Sequence, residues 1–171
     1  MKSDTIRRYV WAFSAPLLAL PAIAMQFDTG VNWSARDFGA MAVMLGVACG
    51  CFEGIMRLSA NTSFRLAGAL AVLGAFLLVW ANLAVGIIGA EENPINWAFV
   101  AIPATGITVA GFDRFRIAGM LRAMRVLIVL QLAAAVVAYF AEGTTTAVLT
   151  ASFAVFWIAA ALLFARAQLA G

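Results

Sequence analysis

The side chains best suited to hold a polar ligand in this sequence are Asp37, Asn82, Glu91 and Glu92. The three carboxylates fall in or beside short polar stretches that also carry Asp28, Asn32, Asn93 and Asn96, while Asn82 is the strongly polar residue inside the apolar run preceding Glu91. Carboxylate and amide oxygens are hard acceptors that suit a cation or a solute rich in hydrogen-bond donors. Calcium or magnesium would need several of them to converge at about 2.0–2.6 Å. Spacing along the chain does not supply that convergence, and helix capping with a solvated acidic rim accounts for the same residues, so no metal site is assigned.

A second group is Glu53 and Arg57, four residues apart with the acid first, the better order for an ion pair on a helix. A charge buried in an apolar run faces protein, a partner or water, because exposure to lipid costs several kcal/mol. A structural ion pair is the expectation, with proton or ion handling by Glu53 as its functional alternative.

What is missing narrows the chemistry further. The chain has no histidine, which removes the commonest zinc ligand, the usual axial ligand of membrane haem and the default proton shuttle. Cys49 and Cys51 are two apart, so on a helix they point about 200° away from each other and suit neither a disulfide nor a metal clamp. No nucleophile-and-base pair stands out. We therefore expect no catalytic residues, no cofactor and no enzyme activity.

These residues must be positioned by apolar elements. Of 171 residues 65% are hydrophobic and 11% charged, with a mean hydropathy of +1.00, too little polar surface for a soluble globule of this size. The pattern predicts an all-α integral membrane bundle of six transmembrane helices, over about 9–26, 34–58, 64–89, 94–111, 117–141 and 145–167, forming one domain over 1–171. Short connections leave no room for a soluble domain. Ser34 reads as an N-cap with Asp37 three residues on, Asn93-Pro94 as a cap and first-turn pair, and Glu142-Gly143-Thr144 as a tight outer turn. Threaded alternately with both termini in the cytoplasm, the six runs put Lys2, Arg7, Arg8, Arg57, Arg65, Arg114, Arg116, Arg122, Arg125 and Arg166 on the inner side, and Arg36 outside. Trp33, Trp97 and Tyr139 then mark the outer boundary and Tyr9 with Trp11 the inner one. The first run, with basic residues before it and Ala22-Ile23-Ala24 near its end, also reads as a signal peptide; retained, it is a helix carrying Pro16 and Pro21. The net charge of +3 belongs to helix ends facing anionic lipid, and no nucleic-acid partner is expected.

Small residues suggest where helices meet. Gly39, Gly46, Gly50, Glu53 and Arg57 lie within about 60° on the second helix, and Gly46, Gly50 and Gly54 make two overlapping G-x-x-x-G units that allow close backbone approach. Gly86 and Gly89, with Gly68, Ala71, Ala75 and Asn82, form a similar face on the third. Asn82 is expected to bond a neighbouring helix or line a cavity, with Thr105, Thr108 and the Phe99 carbonyl freed by Pro103 as partners if the fourth helix lies beside it.

The segments Val31-Asn32-Trp33-Ser34-Ala35-Arg36-Asp37-Phe38 and Asn82-Leu83-Ala84-Val85-Gly86-Ile87-Ile88-Gly89-Ala90-Glu91-Glu92-Asn93-Pro94 resemble recurring blocks of a family of small polytopic bacterial inner-membrane proteins, with Glu92 where aspartate is expected. The resemblance implies a bacterial inner membrane and no particular activity. The leading functional expectation is a protein that binds or passes a small solute or ion through an outward-facing site of Asn82, Glu91, Glu92 and Asp37. Its rival is an accessory or assembly subunit whose glycine-rich second helix docks on a larger membrane complex, or on a second copy of itself. Membrane lipids are partners in either case.

Overall fold

A computed structural model describes residues 3–27, 30–90 and 92–170, and among them every regular element is helical. The elements are α1 (Ser3–Ala24), α2 (Ala35–Leu58), α3 (Thr62–Val85), a 3-10 turn (Pro94–Asn96), α4 (Trp97–Phe112), α5 (Ile117–Glu142), α6 (Thr144–Ser152) and α7 (Ala154–Leu169). Lys2, Asp28 and Glu91 lie outside the described residues. The chain divides into two compact units, Met1–Arg57 and Leu58–Gly171.

Five stretches are long and apolar enough to cross a membrane: Ala35–Leu58, Thr62–Val85, Pro94–Phe112, Ile117–Glu142 and Thr144–Leu169. Their outward surfaces carry large apolar side chains, among them Leu73, Trp80, Ile107, Val129, Val136, Val155 and Leu162, each more than two-fifths exposed. Such a surface has no stable place in water. Multi-pass membrane residence follows from length, composition and this apolar exterior together. α1 differs. Past Arg8 it keeps only the helical residues Tyr9 to Ala24. At a rise of about 1.5 Å per residue they span about 24 Å, against a hydrocarbon core of about 30 Å.

In the first unit, α2 begins with a reciprocal cap. The Asp37 carboxylate accepts from the Ser34 amide at 2.7 Å and from its hydroxyl at 2.8 Å, while the Asp37 and Phe38 amides donate to the Ser34 carbonyl.

In the second unit, α5 packs against α4, α6 and α7, and α7 also packs on α3. Close side-chain packing rather than water exclusion holds these helices, because lipid chains are as apolar as the core. Phe64 of α3 and Phe164 of α7 meet edge to face with centroids 5.2 Å apart, both fully buried, an arrangement that aromatic rings prefer to flat stacking. The helices touch closely where glycine removes a side chain. A Cβ at Gly74 would lie 2.6 Å from the Phe156 Cβ, and one at Gly106 2.8 Å from a Leu127 methyl. Between α4 and α5 the chain turns tightly, with Arg114 and Phe115 at φ +53° and +56° and the Phe115 amide returning to the Ala110 carbonyl at 2.8 Å. Gly119 is required at this turn, since a Cβ there would lie 2.3 Å from the Asp113 Cβ.

Two elements differ from the sequence expectation. α3 ends at Val85 rather than continuing to 89, because Gly86 takes φ +67° and donates its amide to the Asn82 carbonyl at 3.0 Å, a left-handed stop that glycine adopts without strain. Gly86 and Gly89 are therefore turn residues, not part of a packing face on a helix; Gly89 also sits at φ +66°. The expected last helix is broken at Phe153, although no proline or glycine lies there. The cause is an inserted side chain. Gln131, fully buried on α5, donates to the Thr150 carbonyl at 2.9 Å, the acceptor an unbroken helix would offer to the Ala154 amide, and Phe156 instead bonds Phe153 three residues back. Trp157 completes the group by donating its indole N–H to Gln131 Oε1 at 3.3 Å.

Candidate functional site

The end of the second unit where α3 stops is built around Asn96. Buried at the close of the Pro94–Asn96 turn, its Oδ1 accepts from the Ile88 amide at 3.0 Å, and its Nδ2 donates to the Ile88 carbonyl at 3.2 Å and the Ala90 carbonyl at 2.9 Å. One amide side chain thus takes the place of a strand partner for residues 88–90. Asn93 caps the same turn, accepting from the Ile95 amide at 3.1 Å, before Pro94 starts it with a fixed φ and no donor to satisfy. Asn96→Leu is expected to leave the Ile88 carbonyl and amide without partners, the Ala90 carbonyl keeping the Asn93 amide at 2.9 Å, and to lower stability by about 1–3 kcal/mol. Hydrogen exchange at Ile88 reads it, and unchanged protection there would contradict this role.

Asn82 lies one helical turn before the Gly86 cap. It is 5% exposed, and its Oδ1 has no hydrogen-bond partner among the described residues. The partners expected on α4 are not engaged: the Thr105 and Thr108 hydroxyls fold back onto the Ala101 and Ala104 carbonyls of their own helix at 2.8 and 2.9 Å, the local competitor for such side chains. A buried amide oxygen without a donor costs about 1–3 kcal/mol, so this one is poised for a donor or a cation. Near it on the chain, the 86–93 loop is approached by Glu142 from the end of α5, whose Oε1 would lie 3.6 Å from a Cβ at Gly89.

The four residues expected to form the site stand differently. Asn82 is buried, Glu92 is exposed, and Glu91 lies outside the described residues. Asp37 belongs to the first unit, where its carboxylate is engaged with Ser34. Among the described residues no three Cys, Asp or Glu side chains gather as a metal cage would require. Acceptors of the second unit at this end include Asn82 Oδ1, which is buried, Glu142 beside the Gly89 loop, and Glu92, which is exposed.

The first unit holds a separate charged cluster. Glu53 pairs with Arg57, as the spacing predicts, and also with Arg7 of α1; both guanidiniums meet Oε1, while the Trp11 indole N–H donates to Oε2 at 3.2 Å. On the same helix a Cβ placed at Gly39, Gly46, Gly50 or Gly54 would meet no described atom of its unit within 4 Å.

Sequence reasoning missed three of these residues. Gln131, a lone amide in a long apolar helix, carries a usable signal, since polar side chains at membrane depth ordinarily bond something. Asn96 reads in the sequence only as another oxygen in the polar stretch. Arg7 is 46 residues from Glu53, and no local pattern joins them. No family model, curated protein or solved structure matches this chain.

Proposed function

We propose that this is a bacterial inner-membrane protein of six spans with both ends in the cytoplasm, which binds or passes a small cation or donor-bearing solute at the outer end of α3. The observation that carries the ligand is the buried Asn82 Oδ1, an acceptor without a donor among the described residues. Glu142 and Glu92 supply negative charge at the same end of the second unit and favour a cationic or ammonium-bearing ligand over an anion.

The orientation rests on charge. Alternate threading of the five long spans places Arg57, Arg65, Arg114, Arg116, Arg122, Arg125 and Arg166 on one side, and Arg36 with the acidic loops on the other; the basic side is the cytoplasmic one. α1 is the sixth crossing. Its short apolar part is accommodated by Arg7 and Arg8 reaching back to the interface and by local thinning of the bilayer.

Isothermal titration and proteoliposome flux with sodium, potassium, magnesium, calcium and methylammonium test the site. Binding or flux that Asn82→Leu reduces by about tenfold or more is expected, the loss of one buried polar contact being worth about 1.4 kcal/mol. Wild type and Asn82→Leu behaving alike with every solute would remove the proposal.

A second reading has its own support. The glycines of α2 carry no neighbour in their unit, whereas Gly74 and Gly106 are each pressed against another helix. A membrane partner seated on that stripe would make α2 a docking helix. In gently solubilised membranes, Gly50→Leu should then release the protein from a larger assembly; a lone monomer both before and after substitution rejects docking through this face.

A further inference from the structure

The cluster at Glu53 has more positive charge than an ion pair requires. Arg7 and Arg57 share the Glu53 carboxylate, and Arg8 lines the same pocket. Arg7 and Arg8, with Trp11 and Glu53, line an open pocket of about 380 Å³, within the size range of small-ligand sites; Arg57 meets its edge through Glu53. Glu53 holds the arrangement: both its oxygens are engaged, one by two guanidiniums and the other by the Trp11 indole, so α1 and α2 keep their arginines side by side. Arg57 is two-thirds exposed and Arg8 is exposed with no carboxylate partner among the described residues, so their N–H groups face outward.

We propose that this cavity binds a phosphate group. Guanidiniums are planar forks that match phosphate oxygens in pairs of hydrogen bonds, and two or three of them around one anion form the usual phosphate clamp. A phosphomonoester or phosphodiester would bring negative charge against these guanidiniums without displacing Glu53. The flanking Tyr9 and Trp11, 68% and 46% exposed, are the residue types that settle at headgroup depth. The phosphate can therefore come from an anionic lipid or from a soluble phosphate compound; the recognising chemistry is the same. This inference stands independently of the site at Asn82.

The test uses the full-length protein in two arms. In nanodiscs, retention of phosphatidylglycerol against phosphatidylcholine is measured by native mass spectrometry; in a neutral detergent, inorganic phosphate is titrated. Arg7→Gln disturbs the pairing that joins α1 to α2, so the informative variants are Arg8→Gln and Arg57→Gln, with Arg125→Gln as a basic residue of the other unit. We expect anion retention in at least one arm, reduced about tenfold by Arg8→Gln and by Arg57→Gln, as loss of a charge-assisted bond implies, and unchanged by Arg125→Gln. Retention in the lipid arm alone identifies a headgroup, and retention of inorganic phosphate identifies the bare anion. Binding in neither arm, or an equal loss in Arg125→Gln, would overturn the proposal, the second outcome showing only diffuse surface charge.

Discussion

Trp157→Ala is expected to destabilise the protein by about 3–5 kcal/mol, the range for removing a large buried aromatic. Trp157 is fully enclosed where α7 packs on α5, and its removal opens a void of indole size in a bundle held by packing rather than by water exclusion. It also strips Gln131 Oε1 of its donor, so a buried polar loss is added to the cavity. Trp157→Phe should cost less, because it restores most of the volume but not the N–H. Thermal unfolding in detergent, followed by near-ultraviolet dichroism, separates the three proteins; equal stability of Trp157→Ala and wild type would contradict the packing described for α5 and α7.

Gly74→Ala is expected to cost about 1–3 kcal/mol for the addition of one methyl group. The new Cβ would meet the Phe156 Cβ at 2.6 Å, and a Cβ is fixed to its backbone, so only movement of α3 away from α7 relieves the overlap. Gly106→Ala is the internal comparison. There the clash is with a Leu127 methyl at 2.8 Å. A rotamer change can withdraw a methyl, and a smaller loss should result. Gly46→Ala has no neighbour near it in its own unit. It should stay within about 0.5 kcal/mol of wild type in the purified protein, as substitutions that strain no contact of their own unit do. Denaturation of the three variants in mixed micelles checks the order. If Gly46→Ala proved the most damaging, the contact between α3 and α7 would not be the tight one.

The same contrast separates what the chain announces locally from what it does not. Apolar runs bounded by polar stretches locate α2, α4 and α5 closely, because the bilayer sets both the length and the composition of a crossing helix. Ser34 and Asp37 announce the start of α2, since capping is a local matter of one oxygen and the first free amides. Glu53 with Arg57 is equally local. Tertiary events leave weaker traces. Within the second unit, tight approaches occur at Gly74, Gly106 and Gly119, whose importance depends on what the opposing segment presents. α3 stops short of the expected position because Ile87 and Ile88 extend the apolar run past the residue that ends the helix, Gly86. The break at Phe153 has no local cause at all; it comes from Gln131, on the preceding long helix, reaching across to the Thr150 carbonyl.

For the candidate site the division is similar. Asn82 is legible as an isolated amide in an apolar run of membrane length, but that its Oδ1 has no partner among the described residues is not. Asp37, expected as a ligand from its charge, is a capping group in the other unit. Glu142 reads in the sequence as a turn residue between two helices, although the fold brings its carboxylate to the loop at Gly89.

The reading of Asn82 as an outward-facing site depends on which side of the membrane each end of each helix faces. Paired reporter fusions, one set active only in the cytoplasm and the other only outside it, placed after Glu92 and after Gly171, measure this directly. Six crossings require the fusion at Glu92 to report the outer side and the fusion at Gly171 the cytoplasm. Both fusions reporting the same compartment, or Gly171 reporting the outside, would contradict the threading and with it the outward-facing site at Asn82.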